Sequence, residues 1–185
     1  MGVNPVSDNS KKRAVFLDRD GVINNAVIRD GKPYPPSGLA EIRINPGGES
    51  GLNALHKLGY MLIVVTNQPD VSRGRITRES VEAIHTFLQE KLPLDAIMVC
   101  YHDNHDQCDC RKPKPGHLLE AARKFNIDLS QCFIVGDRWS DVEAGKRAGC
   151  KTIFIDNGYI EQQPDTPDFS VNSFDEAVEI IQNAG

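Results

Sequence analysis

Two kinds of hydrophobic pattern alternate along the chain. Short runs in which nearly every residue is apolar, many of them β-branched, occupy residues 14–18, 61–66, 96–100, 132–135 and 152–155. Short runs without a polar face are typical of strands that are covered on both sides of a sheet. The pattern therefore predicts five buried strands.

Longer segments between these runs carry apolar residues every three to four positions, which is typical of amphipathic helices. The predicted helices cover residues 48–58, 76–90, 115–125, about 140–148 and 173–182. In the first of them, Leu52, Leu55 and Leu58 form a stripe that we expect to face the core. Strands that alternate with helices predict an α/β fold: a doubly wound, Rossmann-like, mainly parallel sheet with helices on both faces.

One long insertion follows the first predicted strand. Residues 24–45 show no regular pattern and are predicted to be irregular, and long loops at such positions are usually functional or mobile. No second set of core-forming segments is present, so we expect no large cap domain. Residues 1–12 are polar and are expected to form a flexible leader before a single domain at residues 13–185.

Composition and charge limit the classes of function. The 185 residues are 39% hydrophobic and 25% charged, with a formal net charge of −5, which does not favour a nucleic-acid-binding protein with a broad basic surface. No apolar run approaches the roughly 18 residues that span a bilayer, and no secretion signal is visible. We therefore expect a cytoplasmic monomer that binds neither nucleic acid nor membrane.

Polar residues follow several predicted strands directly. Asp18 and Asp20 end the first strand, Thr66 and Asn67 the second, and Asp137 follows the fourth. Ligands of open α/β sheets bind beyond the carboxyl ends of the strands, so these side chains are expected to converge. A lysine after the third strand, Lys112 or Lys114 by spacing alone, would join them.

This combination predicts phosphoryl transfer, which needs a nucleophile, alignment and charge neutralisation. Asp18 would attack phosphorus and form a phosphoaspartate, and Asp20 would act as general acid and base. Mg²⁺ would be held by the Asp18 and Asp137 carboxylates and by the backbone carbonyl of Asp20. The Thr66 hydroxyl and a lysine would bind the phosphoryl oxygens.

The ordered motifs DRDGV, TN, a lysine and GDRWSD resemble those of the haloacid dehalogenase superfamily. Within it, the chain is similar to the small bacterial phosphatases, of subfamily IIIA, that act on heptose bisphosphate and histidinol phosphate. The resemblance spans residues 12–159. It implies the same roles for Asp18, Asp20, Thr66 and Asp137, and it favours Lys112 over Lys114.

A second constellation consists of Cys100, His102, Cys108 and Cys110. Three thiolates and one imidazole make a closed tetrahedral ligand set, which is typical of structural Zn²⁺. The same pairing is found in both phosphatase groups named above. We expect the metal to fix the loop before Lys112, and His105 in the same loop is a possible substitute ligand.

Other candidate residues carry alternative interpretations. Asn67, Arg111 and Arg138 are predicted to bind substrate oxygens. Asp141 is assigned either to the first turn of a helix or to support of the metal. Trp139 is assigned either to the mouth of the site or to the core. The histidines on helical segments, His56, His85 and His117, are interpreted as structural or solvent-facing, and Cys132 and Cys150 as buried apolar thiols.

The substrate is expected to be a small phosphorylated metabolite, and the motif after the second strand bears on its identity. The sequence TNQPDVSRG is similar to the TNQSGxxRG of heptose-bisphosphate phosphatases, but Pro69 and Asp70 depart from that pattern. Removal of the 7-phosphate of heptose 1,7-bisphosphate, a sugar bisphosphate used for lipopolysaccharide or another glycan, is the first hypothesis. Histidinol phosphate or another small phosphomonoester is the alternative within the class. A non-catalytic, metal-stabilised binding module is the alternative from another class.

Overall fold

The structure is a computed structural model that describes residues 10–184. Its strands are β1 (Ala14–Leu17), β2 (Val27–Arg29), β3 (Lys32–Tyr34), β4 (Met61–Asn67), β5 (Ala96–Cys100), β6 (Phe133–Gly136), β7 (Lys151–Ile155) and β8 (Phe169–Val171). Its α-helices are α1 (Gly48–Lys57), α2 (Arg78–Lys91), α3 (Gly116–Phe125), α4 (Trp139–Ala148) and α5 (Phe174–Ala184). All ten predicted elements are present, with ends that differ by a few residues.

Six strands form one parallel sheet in the order β5-β4-β1-β6-β7-β8. Strand β1 lies at the centre, with Phe16 in register with Ile63 of β4 and with Ile134 of β6. All the pairings in this sheet are parallel, so the carboxyl ends of its strands share one edge. The predicted doubly wound architecture is confirmed.

Alternate residues of the central strands pack on opposite faces of the sheet. Val15 and Leu17 belong to one core cluster, together with apolar residues of α1, α2 and α5. Ala14 and Phe16 belong to the other, together with residues of α3 and α4. This explains why the strand sequences are apolar throughout: neither face of the sheet meets water.

Two sequence predictions about local structure are wrong. Leu58 lies beyond the end of α1 and is 42% exposed, whereas Leu52 and Leu55 are fully buried. The insertion at residues 24–45 is not wholly irregular, because β2 and β3 pair as an antiparallel hairpin. Its turn places Asp30 and Gly31 at positive φ, a conformation that matches the twist of a two-residue hairpin loop.

The beginning of the described chain also differs from the prediction. The sequence predicts a flexible leader that includes Lys12, but Lys12 forms a parallel bridge with Ile127. Its backbone N–H donates to Asn126 at 2.8 Å, and its carbonyl accepts from Asp128 at 2.8 Å. The rest of the predicted leader, apart from residues 10 and 11, lies outside the described residues. Between residues 10 and 184, no helix has the length and apolar character needed to cross a membrane.

Candidate active site

A cleft of about 330 Å³ opens at the carboxyl edge of the sheet, where β1, β4 and β6 end. The predicted residues that line it are Asp18, Asp20, Thr66, Asn67, Arg111, Lys112, Arg138 and Asp141. The β2–β3 hairpin covers one side through Pro33, Tyr34 and Pro35. The hairpin is therefore a small element at the mouth of the cleft, in place of a separate cap domain.

Lys112 lies at the centre of the charged groups. Its ammonium donates to Asp18 Oδ1 at 2.7 Å and to the carbonyl of Val65 at 2.5 Å, and it forms an ion pair with Asp141 Oδ1 at 2.6 Å. Burial alone would lower the pKa of Lys112, but Asp141 and Asp18 outweigh it and hold the pKa above its usual range. Lys112 therefore remains a cation at the floor of the cleft.

Asp18 and Asp137 are buried carboxyl groups. Burial raises the pKa of Asp18 to about 6, although Lys112 opposes the shift, and the neighbouring Asp141 and Asp20 add to it. Burial, Asp18 and Asp141 also raise the pKa of Asp137 well above its ordinary value. Three buried carboxyl groups with one lysine leave an excess of negative charge that a cation would neutralise.

The arrangement fits a divalent cation with oxygen ligands. One oxygen each from Asp18, Asp137 and Asp141 lies within 4.8 Å of the other two, and all three residues are buried. Within the part of the chain that the structure describes, Asp137 Oδ1 is buried without a hydrogen-bond partner. A buried carboxylate oxygen without a donor is costly unless a cation binds it. This donor set suits Mg²⁺, which prefers a few carboxylates in an oxygen environment.

The Asp20 carboxyl group is not part of that cluster. Its Oδ1 accepts from Arg19 Nε at 3.0 Å and Asn24 Nδ2 at 2.9 Å, and its Oδ2 accepts from Arg19 Nη2 and Gln68 Nε2, both at 2.8 Å. The side chain still lines the cleft beside Asp18. The sequence prediction that the Asp20 backbone carbonyl binds the cation stays a prediction.

Thr66 and Asn67 follow each other at the end of β4 but differ in their surroundings. Thr66 is buried, and its hydroxyl accepts from Gln68 Nε2 at 2.9 Å. The Asn67 amide holds the backbone of Lys112 on both sides, since it donates to the Lys112 carbonyl at 3.0 Å and accepts from the Lys112 N–H at 3.1 Å. Asn67 therefore fixes the backbone of the lysine. It also lines the cleft, and its predicted contact with substrate oxygens stays a prediction.

The two arginines at the rim of the cleft are bound to the protein itself. Arg138 Nε and Nη2 donate to the two carboxylate oxygens of Glu161 at 2.9 and 2.5 Å. Arg111 Nε donates to Asn104 Oδ1 at 2.9 Å, and its Nη1 donates to the His102 carbonyl at 3.3 Å. Both side chains line the cleft, and their contact with substrate stays a prediction.

Asp141 lies in the first turn of α4, which is one of the two roles that the sequence left open, and its support of a metal stays a prediction. Its Oδ2 accepts from the backbone N–H of Arg138 at 3.0 Å, which caps the N-terminus of α4. Its Oδ1 forms the ion pair with Lys112, and the same carboxyl group belongs to the candidate cation cluster. Trp139 is half-buried and lines the cleft, as in the interpretation that placed it at the mouth.

The predicted zinc ligands converge in the loop after β5. Cys100 Sγ lies 3.7 Å from Cys108 Sγ and 3.2 Å from Cys110 Sγ, and His102 Nδ1 lies 3.6 Å from Cys100 Sγ and 3.3 Å from Cys110 Sγ. A tetrahedral Zn²⁺ with ordinary bond lengths would separate its ligand atoms by about 3.5–3.8 Å. The four side chains therefore fit a closed zinc site. His105 is exposed and lies outside this cluster.

An ion-pair network ties the cysteine–histidine loop to the segment after β4. Arg73 Nε and Nη2 donate to the two carboxylate oxygens of Asp103 at 2.7 and 2.6 Å, and Arg73 also contacts Asp70 at 3.2 Å. The hydrogen bonds from Arg73 have the largest effect, and the hydrogen bond from the Asn104 backbone N–H the next, in holding the pKa of Asp103 below its usual range. Asp70, one of the two departures from the expected motif, thus helps to fix Arg73.

Comparisons with known proteins agree with this geometry. A HAD-hydrolase-like family model matches residues 109–177. A D-glycero-beta-D-manno-heptose-1,7-bisphosphate 7-phosphatase from Pasteurella multocida is 35% identical over 159 residues, or 80% of this chain and 83% of the relative. Its counterpart from Helicobacter pylori is 38% identical over 149 residues, or 77% and 83% of the two chains. The chain belongs to the haloacid dehalogenase superfamily.

A solved structure supports the assignment to this superfamily. The D,D-heptose 1,7-bisphosphate phosphatase from B. bronchiseptica, determined with magnesium and phosphate, superposes with a TM-score of 0.79 at 27% sequence identity. The match covers 94% of this chain and 99% of that structure. Superfamily phosphatases use Mg²⁺, which agrees with the buried carboxylates at the end of β1 and β6.

Several residues at this haloacid dehalogenase site were not predicted from the sequence. Asn157 Nδ2 lies within hydrogen-bond distance of Asp137 Oδ2 at 3.2 Å, of the Gly21 carbonyl at 3.1 Å and of the Tyr159 hydroxyl at 3.0 Å. Gln68 donates to both Asp20 and Thr66. Gln68 and Asn157 follow the ends of β4 and β7, so the rule that identified Asp18 would have found them too.

Proposed function

We propose that the protein is a Mg²⁺-dependent phosphomonoester hydrolase that acts through a phosphoaspartate on Asp18. The observation that carries the proposal is the buried lysine between Asp18 and Asp141, beside the carboxyl group of Asp137. A nucleophilic carboxylate, a fixed cation and a divalent-cation site within one cleft are the requirements of phosphoryl transfer. Membership of the superfamily supports the same reaction.

The reaction has two steps in which each proton has an assigned donor or acceptor. In the first, an Asp18 oxygen forms a bond to phosphorus while the bond from phosphorus to the ester oxygen breaks, and Asp20 protonates that leaving oxygen. In the second, Asp20 takes a proton from water, whose oxygen attacks phosphorus and releases Asp18 and inorganic phosphate. Lys112 and Thr66 bind the phosphoryl oxygens as charge moves onto them.

Two metal ions complete the proposal. Mg²⁺ held by Asp18, Asp137 and the carbonyl of Asp20 would neutralise charge between the nucleophile and the phosphate. Asp141 lies close enough to support that ion. Zn²⁺ on the four cysteine and histidine side chains would be structural, because the set leaves no open coordination position.

The proposed substrate is D-glycero-D-manno-heptose 1,7-bisphosphate, which would lose its 7-phosphate. The relatives from Pasteurella multocida and Helicobacter pylori carry this activity in their names, and they match more than three quarters of the chain. Arg111 and Arg138 at the rim would bind substrate oxygens. We further propose that residues 13–185 act as one domain, as a monomer in the cytoplasm.

The experiment compares kcat/KM for Mg²⁺-dependent phosphate release among both anomers of the heptose bisphosphate and histidinol phosphate, because this ratio measures discrimination. The proposal predicts that one heptose anomer is preferred by about 100-fold or more over histidinol phosphate. Preference for histidinol phosphate would replace the heptose assignment and leave the mechanism in place. No phosphate release from any ester would favour the non-catalytic binding module.

A further inference from the structure

A buried chain of polar side chains leads away from Asp20 into the protein. Arg19 is fully buried and donates to both Asp20 oxygens through Nε and Nη2. Its remaining terminal nitrogen, Nη1, lies 3.1 Å from Nε2 of His85 on α2. An arginine has no acceptor, so His85 Nε2 must accept this hydrogen bond.

The acceptor role defines the state of His85. With Nε2 accepting, the ring proton of the neutral imidazole is on Nδ1, which lies 3.4 Å from Glu82 Oε2. Burial, and then the charge of Arg19, lowers the pKa of His85, which agrees with a neutral ring. The Tyr101 hydroxyl donates to the other Glu82 oxygen. His85 is thus held in one tautomer and one orientation between Arg19 and Glu82.

Arg19 fixes the orientation of the Asp20 carboxylate. Two parallel N–H donors from one planar guanidinium fix the plane of a carboxylate as well as its position. The guanidinium plane is fixed in turn by His85, which is its contact on the side away from Asp20. Without this acceptor, the buried Arg19 would keep its two bonds to Asp20 but would have an unpaired N–H on Nη1, a cost that favours other orientations of the guanidinium.

We propose that His85 is a positioning residue for proton transfer: by accepting from Arg19, it fixes the plane in which Asp20 meets the leaving oxygen. His85 does not line the cleft and acts only through Arg19. The inference rests on the proposed phosphatase function and on the role of Asp20 within it. Glu82 supports His85 from the protein surface, where its side chain is 48% exposed.

The test compares two esters with different needs for a proton. An alkyl phosphate has a poor leaving group and needs Asp20 as acid, whereas p-nitrophenyl phosphate releases a stable phenolate without that help. The alkyl ester is whichever of the heptose bisphosphates and histidinol phosphate has the highest kcat/KM. A variant that merely contains fewer active molecules loses both activities equally, so the ratio of the two kcat/KM values isolates the positioning of Asp20.

We expect His85→Leu to lower the alkyl-to-aryl ratio of kcat/KM by about tenfold or more, with a KM close to that of the wild type. His85→Gln places an amide oxygen near Nε2 and is expected to restore most of the ratio. Glu82→Ala, on an exposed helical position, is expected to lower it in the same direction by a smaller factor.

The matched control is His117→Leu, since His117 is also buried on a helix and lies 3.4 Å from a glutamate three residues later, Glu120. The alkyl-to-aryl ratio of kcat/KM in His117→Leu should equal that of the wild type. The positioning role would be overturned if the alkyl-to-aryl ratio is unchanged in Glu82→Ala, and also in His85→Leu if that variant folds. The proposed function would stand in that case, because the wild type still releases phosphate. Wild-type protein that releases phosphate from neither ester would overturn the proposed function and this inference with it.

Discussion

The ammonium of Lys112 lies 2.7 Å from Oδ1 of Asp18, although the two residues are separated by 94 positions in sequence. The lysine reaches this position because Asn67 holds its backbone from both sides at the end of β4. The sheet edge and the loop after β5 thus meet at one ion pair. Substitutions at this contact are expected to affect catalysis more than those of any surface charge.

Replacement of Lys112 by methionine keeps the length of the side chain and removes its charge. We expect kcat/KM for phosphate release to fall by about 100-fold or more, because a cation aimed at the transferred phosphoryl group is lost. Lys114→Met is the control, since Lys114 is 45% exposed and contacts Cys108 and Asp109 of the loop instead. Equal activity losses in the two variants would contradict this role.

Gly21 is predicted to be essential because a side chain there would displace Asp137. A Cβ atom on Gly21 would lie 1.8 Å from Asp137 Oδ2, and the residue has φ +90°. We expect Mg²⁺ to raise the melting temperature of the wild type, and Gly21→Ala should abolish both this rise and the activity. Gly74→Ala has a similarly strained φ of +68° but no atom within 4 Å of the added Cβ. This control should cost about 1 kcal/mol of stability and keep the Mg²⁺ effect.

The cysteine–histidine cluster is predicted to hold one zinc ion and to stabilise the loop that leads to Lys112. Cys108→Ser should remove the metal, lower the melting temperature by about 5 °C or more, and reduce activity. Zinc content is measured by elemental analysis. Cys150→Ala, which changes a buried thiol outside the cluster, should retain the ion. Zinc removal without any change in stability or kinetics would exclude the structural role.

His85 is predicted to make stability depend on pH in a defined direction. Burial and Arg19 lower its pKa below 6.5, against weaker opposing effects of Glu82 and Asp20, so the unfolded chain binds a proton below pH 6.5 that the folded protein does not. This contribution to stability is present above that pH and is lost as the pH falls.

The stability difference between wild type and His85→Gln should therefore shrink between about pH 7.5 and about pH 5.5, as measured by thermal unfolding. His56→Gln, a change on the protein surface, controls for effects of the substitution itself. A difference that stays constant or widens on acidification would show that His85 is not held neutral.

The parts of the fold and site that the sequence predicted follow from simple rules. Buried parallel strands are apolar on both faces, so β1, β4 and β6 were visible, and the residues at their ends had to share one edge. Asp18, Thr66 and Asp137 were found in this way. The four candidate zinc ligands were predicted to converge because three thiolates and one imidazole at this spacing are typical of a structural zinc site.

The parts that it missed depend on contacts between distant segments. Strands β2 and β3 have three residues each, and β3 contains Pro33. These segments are too short to show the alternation of apolar and polar residues that identifies a strand. An arginine between two aspartates looks like a solvent-exposed charge, and only the position of α2 shows that Arg19 is buried against His85. The hydrogen bonds of the Asn67 amide likewise could not be predicted from the sequence, because its partner, Lys112, is 45 positions away.

The central claim is that phosphate release passes through a phosphoaspartate on Asp18. Wild-type protein and Asp18→Asn are mixed with substrate and Mg²⁺, quenched in acid within the first turnover, digested, and analysed by mass spectrometry. We predict that the peptide containing Asp18 gains the mass of one phosphoryl group in the wild type, only with Mg²⁺, and that Asp18→Asn shows neither the adduct nor phosphate release. Mg²⁺-dependent phosphate release that persists in Asp18→Asn, or a phosphoryl group on another residue, would contradict the mechanism.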